Sequence, residues 1–280
     1  SLTQLPRTPP PMGHRRLIIP VFIPFGGCPH QCVFCDQKGI TGKAALPGLD
    51  EVRQTIEAYL STWKGKGEKE AAFYGGSFTG LPIEAQKAYL ETAGAFLKTG
   101  QLDSLRLSTR PDYIDREIAG FLREHNVATV ELGAQSMVDE VLKASGRGHT
   151  KNQTAEAVRV LKDSGIKTGL QLMPGLPGDT FESVMLTMEE AVKLAPDFVR
   201  LYPSLVLKDT PLHRMHLAGA YKPWTLDDMV EVCARAKRLF DKAGIPIIRM
   251  GLQTTDELIE SIVAGPYHPS FRQLVEAAAS

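Results

Sequence analysis

"LIIPVFIPFGGCPHQCVFC", residues 17–35, runs from a short stretch of β-branched and aromatic residues straight into a loop that carries three cysteines. Its first part, 17–25, reads as a buried strand. Its second part, with Gly26, Gly27, Pro29 and, further on, Gly39, reads as a loop. Cys28, Cys32 and Cys35 stand in that loop with C-x3-C-x2-C spacing, and the chain has one other cysteine, Cys233. A loop that directly follows a strand of a βα fold lies at the strand's C-terminal end, where such folds collect their chemistry.

Working outward from this stretch, strands and helices alternate. After the loop come a helix at 50–63, a strand at 70–74 (EAAFY), a helix at 82–98 opened by Pro82, and a strand at 105–109 (LRLST). A helix over 112–124 with Asp112 as its cap, a strand at 128–133 (ATVELG) and helices near 136–144 and 152–164 follow. Then come a strand at 166–173 (IKTGLQLM), a helix at 179–194 with Asp179 as its cap, and a strand at 197–205 (DFVRLYPSL). A helix at 226–243 that stops at Gly244 and a strand at 245–251 (IPIIRMG) complete the pattern. Six strand–helix alternations predict a parallel sheet with helices outside, and the nearly continuous apolar strands fit a sheet covered on both faces. Right-handed crossovers in series curl such a sheet, and six units are too few to close an eight-stranded barrel. The expected fold is therefore α/β, a partial (β/α)6 TIM-like barrel over 17–251, with a doubly wound sheet as the alternative. Residues 1–16, polar and proline-rich, are expected to form an extended lead-in, and 252–280, helical from Ser270, a C-terminal extension that closes the barrel.

The 280 residues fit one large domain or two small ones, and an apolar share of 43% is enough for a substantial core. A formal net charge of zero gives no global attraction for nucleic acid or an anionic membrane, although a local basic patch would not show in that sum. No stretch approaches the roughly 18 apolar residues that a spanning helix needs, and no signal peptide is visible, so no membrane partner is expected. Three of four cysteines bunched together do not form a disulfide framework; they suit a metal or cluster site in a reducing cytoplasm.

Three readings of the cysteine loop compete. Three unrelated buried cysteines are at odds with a glycine- and proline-rich loop. A Cys3His zinc site using His30 is chemically possible, but the spacing lacks two separated ligand pairs. An iron–sulfur cubane, fully ligated by four thiolates, would keep one iron open if held by only three. That vacancy would then be where a small molecule binds.

C-x3-C-x2-C with the aromatic Phe34 before the last cysteine resembles the cluster loop of the radical S-adenosylmethionine (SAM) superfamily. The resemblance implies a 4Fe-4S cluster on Cys28, Cys32 and Cys35, whose open iron chelates the amino and carboxylate groups of SAM. It also implies reductive cleavage of SAM to methionine and a 5′-deoxyadenosyl radical that abstracts hydrogen from a substrate. CPHQCVFC, GGSFTG, STRPDY, ELGAQS, RGHT, MPGLPGDT and RLYPSLV together span roughly 28–207. They most resemble the branch containing the radical domain of the elongator complex's catalytic subunit, which modifies wobble uridine in tRNA using acetyl-CoA. That subunit carries a further acetyltransferase-like domain, for which this length is expected to leave no room.

In YGGSFTG, 74–80, the resemblance points to the backbone of Gly75 and Gly76 as acceptors for the SAM ammonium group. Ser77 stands where the family has an acid, and it or Thr79 can add a hydroxyl. Ser108 and Gln135 would contact the methionine or ribose portions, beside Arg110 at the end of the third strand. Arg147 would hold the carboxylate through its guanidinium fork. Met173, Leu176 and the backbone around Pro177 would meet the adenine from one side and Phe34 from the other. Glu131, a polar group in an apolar run, needs a partner. Arg200 and Tyr202 in the sixth strand and His268 near the C-terminus are candidates for substrate chemistry, and Arg249 in the last strand is a further cation in an apolar setting. Cys233 falls on the helical spacing of MVEVCARAKRLF and reads as core.

Three function classes follow. The first is a radical SAM enzyme acting on an RNA base, with tRNA as partner. The second acts on a small molecule, peptide or lipid. The third is a non-enzymatic zinc or iron–sulfur module. For either enzyme the chemistry calls for a reduced flavodoxin or ferredoxin as electron donor. Nothing in the sequence fixes an oligomeric state.

Overall fold

The computed structural model describes residues 16–24, 32–35, 45–252 and 255–280. Cys28, His30, Gly26, Gly27, Pro29, Gly39 and the lead-in 1–15 lie outside the described residues.

Seven strands form one parallel sheet in the order β1 (Leu17–Phe22), β2 (Lys69–Tyr74), β3 (Ser104–Thr109), β4 (Val127–Gln135), β5 (Lys167–Leu172), β6 (Phe198–Leu201) and β8 (Ile247–Met250). Strand order follows chain order across the whole sheet. A doubly wound sheet reverses at a switch point, so that alternative is set aside. Six crossovers of one hand, with helices outside, curl the sheet into a half-barrel. Because both faces are covered, Ile19, Ala71, Leu105, Leu107, Val130, Leu132, Leu170 and Val199 are all buried. Each fully buried Leu or Ile contributes about 1.5–3 kcal/mol.

The outer layer is made of α1 (Leu49–Thr62), α2 (Ile83–Lys98), α3 (Arg116–Glu124), α4 (Asp139–Ala144), α5 (Lys151–Asp163), α6 (Phe181–Leu194) and α8 (Leu226–Ala243). Gly244 ends α8 with a φ of 71°, and Cys233 is buried in the core on that helix. Two caps differ from expectation. Asp115 caps α3, accepting from the N–H of Ile118, because Asp112 is held by Arg110. Thr180 caps α6, because Asp179 faces back into the preceding turn, where it accepts from the N–H groups of Gly175 and Leu176.

The strand expected over 197–205 ends at Leu201, and residues 206–225, which carry no predicted element, contain the two-residue β7 (Val206–Leu207) and α7 (Pro211–Leu217). Within 252–280, α9 (Asp256–Ser261) leads into β9 (Ile262–Ala264), which pairs antiparallel with β7. The last helix, α10 (Phe271–Ala279), lies against α8, and Arg272 donates to the carbonyl of Ile247 on β8.

Candidate functional site

The C-terminal ends of the strands open into a cavity of about 720 Å3, well within the 300–1,000 Å3 range of ligand pockets. Its lining brings together Cys32, Phe34, Cys35, Gly75, Gly76, Ser77, Ser108, Arg110, Gln135, Arg147, Arg200 and Tyr202, all named from the sequence. Thr79, Met173, Leu176 and His268 do not line it.

The cysteine loop is held by neighbours distant in the chain. The N–H of Val33 donates to the carbonyl of Ser145 at the end of α4 (3.0 Å), and the carbonyl of Val33 accepts from the N–H of Leu212 in α7 (2.8 Å). The Val33 side chain packs on Val206, Leu212 and Tyr221, a small cluster that Ala264 of β9 joins. Sequence reasoning missed α7, although Thr210 followed by Pro211 is a cap with proline in the first turn, a recognisable start signal.

Cys32 is buried and Cys35 half-buried. A hydrogen bond from Cys35 pulls the Cys32 thiol down to about 5; burial opposes this, and the charge and hydrogen bond of Arg147 and the charge of Arg110 add to it. The Arg147 Nη1 lies 3.5 Å from Cys32 Sγ. The Cys32 thiol is thereby poised to ionise. Among the described residues no group of three metal-ligating side chains stands together; Cys28 lies outside the described residues.

Arg147 reaches Cys32 over the end of β4. Three successive carbonyls there are each held: Gly133 by Arg147 Nη2 (2.6 Å), Ala134 by the Nε2–H of His149 (3.2 Å), and Gln135 by the N–H of Met173 (2.9 Å). A Cβ on Gly133 would come within 2.7 Å of Arg147 Nη2, so the guanidinium needs glycine beneath it. The β4–β5 register shifts between Leu132 and Gln135, and Gln135 takes a φ of 64°. A non-glycine residue pays about 1–3 kcal/mol for such a conformation, a cost typical of functional sites. Burial, with the charges of Arg147 and Arg110, lowers the His149 imidazole to about 3, so it is neutral and fixed as a donor.

The loop after β2 is tied to the end of β3. Ser77 and Thr79 both hydrogen-bond to Thr109 Oγ1, at 3.0 and 2.5 Å, and Ser77 Oγ accepts from the N–H of Arg110. Both hydroxyls are committed to this junction. Gly75 has a φ of 106°, and a Cβ there would meet the Phe22 ring at 2.5 Å and the Ile23 carbonyl at 2.8 Å. Arg110 grips Asp112 with two nitrogens and donates to the Arg147 carbonyl (2.5 Å). Met173 and Leu176 lie in the turn after β5, shaped by Asp179 and by the Tyr221 hydroxyl on the Gly175 carbonyl (2.5 Å).

A charge network fills the barrel beneath the cavity. Arg106, buried in β3, bonds Glu70 at 2.9 Å and Glu131 at 3.4 Å. Glu131 also accepts from the Tyr74 hydroxyl (2.9 Å) and from Arg200, which supplies the partner that its position demanded. Burial, reinforced by the Glu131 charge, pushes the Tyr74 phenol up. Arg106 and Glu70 were not singled out from the sequence, although charged residues inside apolar strands are the signal that marks them. His268 lies in a separate cleft of about 270 Å3 with Tyr267, Met250 and Phe271, its Nδ1 accepting from the N–H of Ser270.

Two buried atoms at the cysteine end of the cavity lack a partner among the described residues: the acceptor Gln135 Oε1 and the donor Arg147 Nε. One acceptor and one donor beside thiolate-forming cysteines suit a ligand that carries both an ammonium and a carboxylate.

Comparison with known proteins agrees with this chemistry. The profile of the radical SAM superfamily matches residues 22–191, and that of a radical SAM C-terminal domain matches 196–280. The tRNA uridine(34) acetyltransferase of Methanocaldococcus jannaschii is 31% identical over 77% of this chain and 47% of its own length. Human elongator complex protein 3 is 30% identical over 81% of this chain and 44% of its own length. The chain thus spans about half the length of these relatives. The solved structure of the archaeal Elp3 from Methanocaldococcus infernus, with an N-terminal deletion, superposes with a TM-score of 0.73 at 26% identity, covering 94% of this chain and 62% of that one.

Proposed function

Because the chain belongs to the radical SAM superfamily, we propose that it binds a 4Fe-4S cluster through Cys28, Cys32 and Cys35 and abstracts hydrogen from a substrate held in the same cavity. When bound and reduced, the cluster supplies the electron that splits SAM into methionine and a 5′-deoxyadenosyl radical. The single observation that carries the reading is the convergence of Cys32, Cys35 and the loops after β2, β3 and β4 on one cavity.

This chain's residues bind and orient. Arg147 favours thiolate at Cys32 and offers Nε to the carboxylate of SAM, and Gln135 Oε1 accepts from its ammonium, beside the backbone of Gly75 and Gly76. Ser108 and Arg110 line the same wall. Phe34 faces the adenine and keeps water out, while the turn holding Met173 and Leu176 stands behind the wall, where the Met173 N–H fixes the Gln135 carbonyl. Ser77 and Thr79 serve by fixing the loop to Thr109. The segment 252–280 closes the open side of the half-barrel over 17–251, and a reduced flavodoxin or ferredoxin delivers the electron in the cytoplasm.

An RNA base is the substrate favoured by the relatives, two of which are a tRNA uridine(34) acetyltransferase and an elongator subunit. A small molecule, peptide or lipid is the second reading, favoured by a net charge of zero, which gives no broad attraction for RNA. Anaerobic reconstitution tests the proposal. Wild-type protein should bind iron and sulfide and release 5′-deoxyadenosine under dithionite, and Cys35→Ala should abolish release. Retained turnover in that variant would remove the cluster, and a colourless, zinc-loaded protein would leave the non-enzymatic module. RNA binding that falls steeply with salt would select the RNA base.

A further inference from the structure

The cavity has a second polar wall, on β5, β6 and β8, away from the cysteines. Gln171, Arg200 and Arg249 stand side by side in register, and all three line the cavity with Tyr202. Arg200 is satisfied by Glu131. The side chain of Arg249 makes no hydrogen bond or ion pair among the described residues, and those of Gln171 and Tyr202 make no hydrogen bond among them either.

Two arginines in register on neighbouring strands repel each other. The acids of the network do not relieve this. Glu70 is taken by Arg106 and Arg16, Glu131 by Arg106 and Arg200, and Asp112 by Arg110. Arg249 is thus a half-buried cation, on the edge strand of the half-barrel, with a cross-strand neighbour of the same charge and no carboxylate. Such a group is retained at a cost unless an anion comes to it. Tyr202, two residues on from Arg200 at the end of β6, and Gln171, beyond Arg200 on β5, add donors to the same wall, and together with the guanidinium fork they match a planar or tetrahedral oxyanion.

We infer that Arg249, with Tyr202 and Gln171 further along the same wall, is the subsite for an oxyanion on the substrate, a carboxylate or a phosphate, placing the substrate's anionic end on the β5–β6–β8 wall. This rests on the reading that SAM occupies the cysteine end of the cavity. The two sources of the oxyanion correspond to an organic acid and to a nucleotide.

The test uses reconstituted full-length protein with S-adenosylhomocysteine bound, so that the cysteine end is filled. Uridine 5′-monophosphate and succinate are titrated calorimetrically into wild type, Arg249→Gln, Arg249→Lys and, as a control for general electrostatics, Arg235→Gln. Arg235 lies on the outer face of α8 paired with Glu231. At least one probe should bind wild type. Loss of a charge-assisted, forked contact should weaken it about tenfold or more in Arg249→Gln, less in Arg249→Lys, and not at all in Arg235→Gln. Binding of uridine monophosphate alone identifies the phosphate, binding of succinate alone the carboxylate. Because the Arg249 side chain holds no partner among the described residues, its replacement orphans none of them, and Arg249→Lys reports independently if Arg249→Gln is unstable. Equal affinities in wild type and both variants, or no binding of either probe to wild type, would overturn the inference. Failure of wild type to bind S-adenosylhomocysteine or cleave SAM would instead strike the proposed function.

Discussion

Glu131→Gln is the sharpest probe of the barrel interior. Glu131 accepts from Tyr74, Arg106 and Arg200, and its side chain is 6% exposed. Glutamine keeps the shape and one acceptor oxygen but removes the charge. Arg106 retains Glu70 at 2.9 Å, so it stays compensated. Arg200, 14% exposed, loses the one carboxylate it meets among the described residues and keeps the Tyr74 hydroxyl at 3.5 Å. The cost is therefore that of one buried arginine left without a counter-charge, about 3–5 kcal/mol, out of a total stability of about 5–15 kcal/mol for a typical domain. Urea unfolding followed by circular dichroism should show a midpoint lowered accordingly, with an unchanged slope. The double variant Glu131→Gln/Arg200→Gln should recover part of the loss, with a coupling of about 2 kcal/mol. A single variant within about 1 kcal/mol of wild type, or strict additivity in the cycle, would refute the assignment of Glu131 as the counter-charge of Arg200.

Two further outcomes follow from the site. His149 has its folded pKa lowered to about 3 from 6.5; between those values the unfolded chain takes up a proton that the folded one refuses, so the stability is complete above pH 6.5 and falls on acidification, by up to about 1.4 kcal/mol per pH unit. Stability measured from pH 7 to pH 4 should therefore fall less steeply in His149→Gln than in wild type, and parallel profiles would rule this out. Gly75→Ala, which sets a Cβ at 2.8 Å from the Ile23 carbonyl in a positive-φ position, should cost about 2–4 kcal/mol and weaken SAM binding; calorimetric unfolding and SAM titration at wild-type values would show that the loop has room to shift.

The inner strands were legible because they are buried on both faces and so read as short apolar runs, from Ala71 in β2 to Val199 in β6, whereas the edge strands β1 and β8 expose Phe22 and Ile248 and were marked by their β-branched residues. The order of the sheet followed from the βα rhythm. What the sequence hid is what depends on partners far along the chain. Asp112 and Asp179 have the composition of caps, yet one is taken by Arg110 and the other by the turn at Gly175. Ser77 and Thr79 look like free hydroxyls until Thr109, some thirty positions away, is brought against them. β7, α7 and β9 are too short to show a period and are held by packing on Val206, Leu212 and Tyr221. The cysteines were legible by spacing alone, whereas their electrostatics come from Arg147, more than a hundred residues on.

That distance bears on how the site is assembled. The two family profiles meet between 191 and 196, but the cavity crosses that line. The first segment supplies Cys32, Cys35, Gly75 and Gln135, and the second supplies Arg200, Tyr202 and Arg249. The sheet continues from β5 to β6 without interruption, in register from Gly169–Phe198 to Leu172–Leu201. The anchorage of Val33 divides in the same way, between the Ser145 carbonyl of the first segment and the Leu212 N–H of the second. The Cys32–Cys35 segment, held from both sides, is positioned by the whole half-barrel. Its geometry therefore responds to changes near residue 212 as directly as to changes near residue 145.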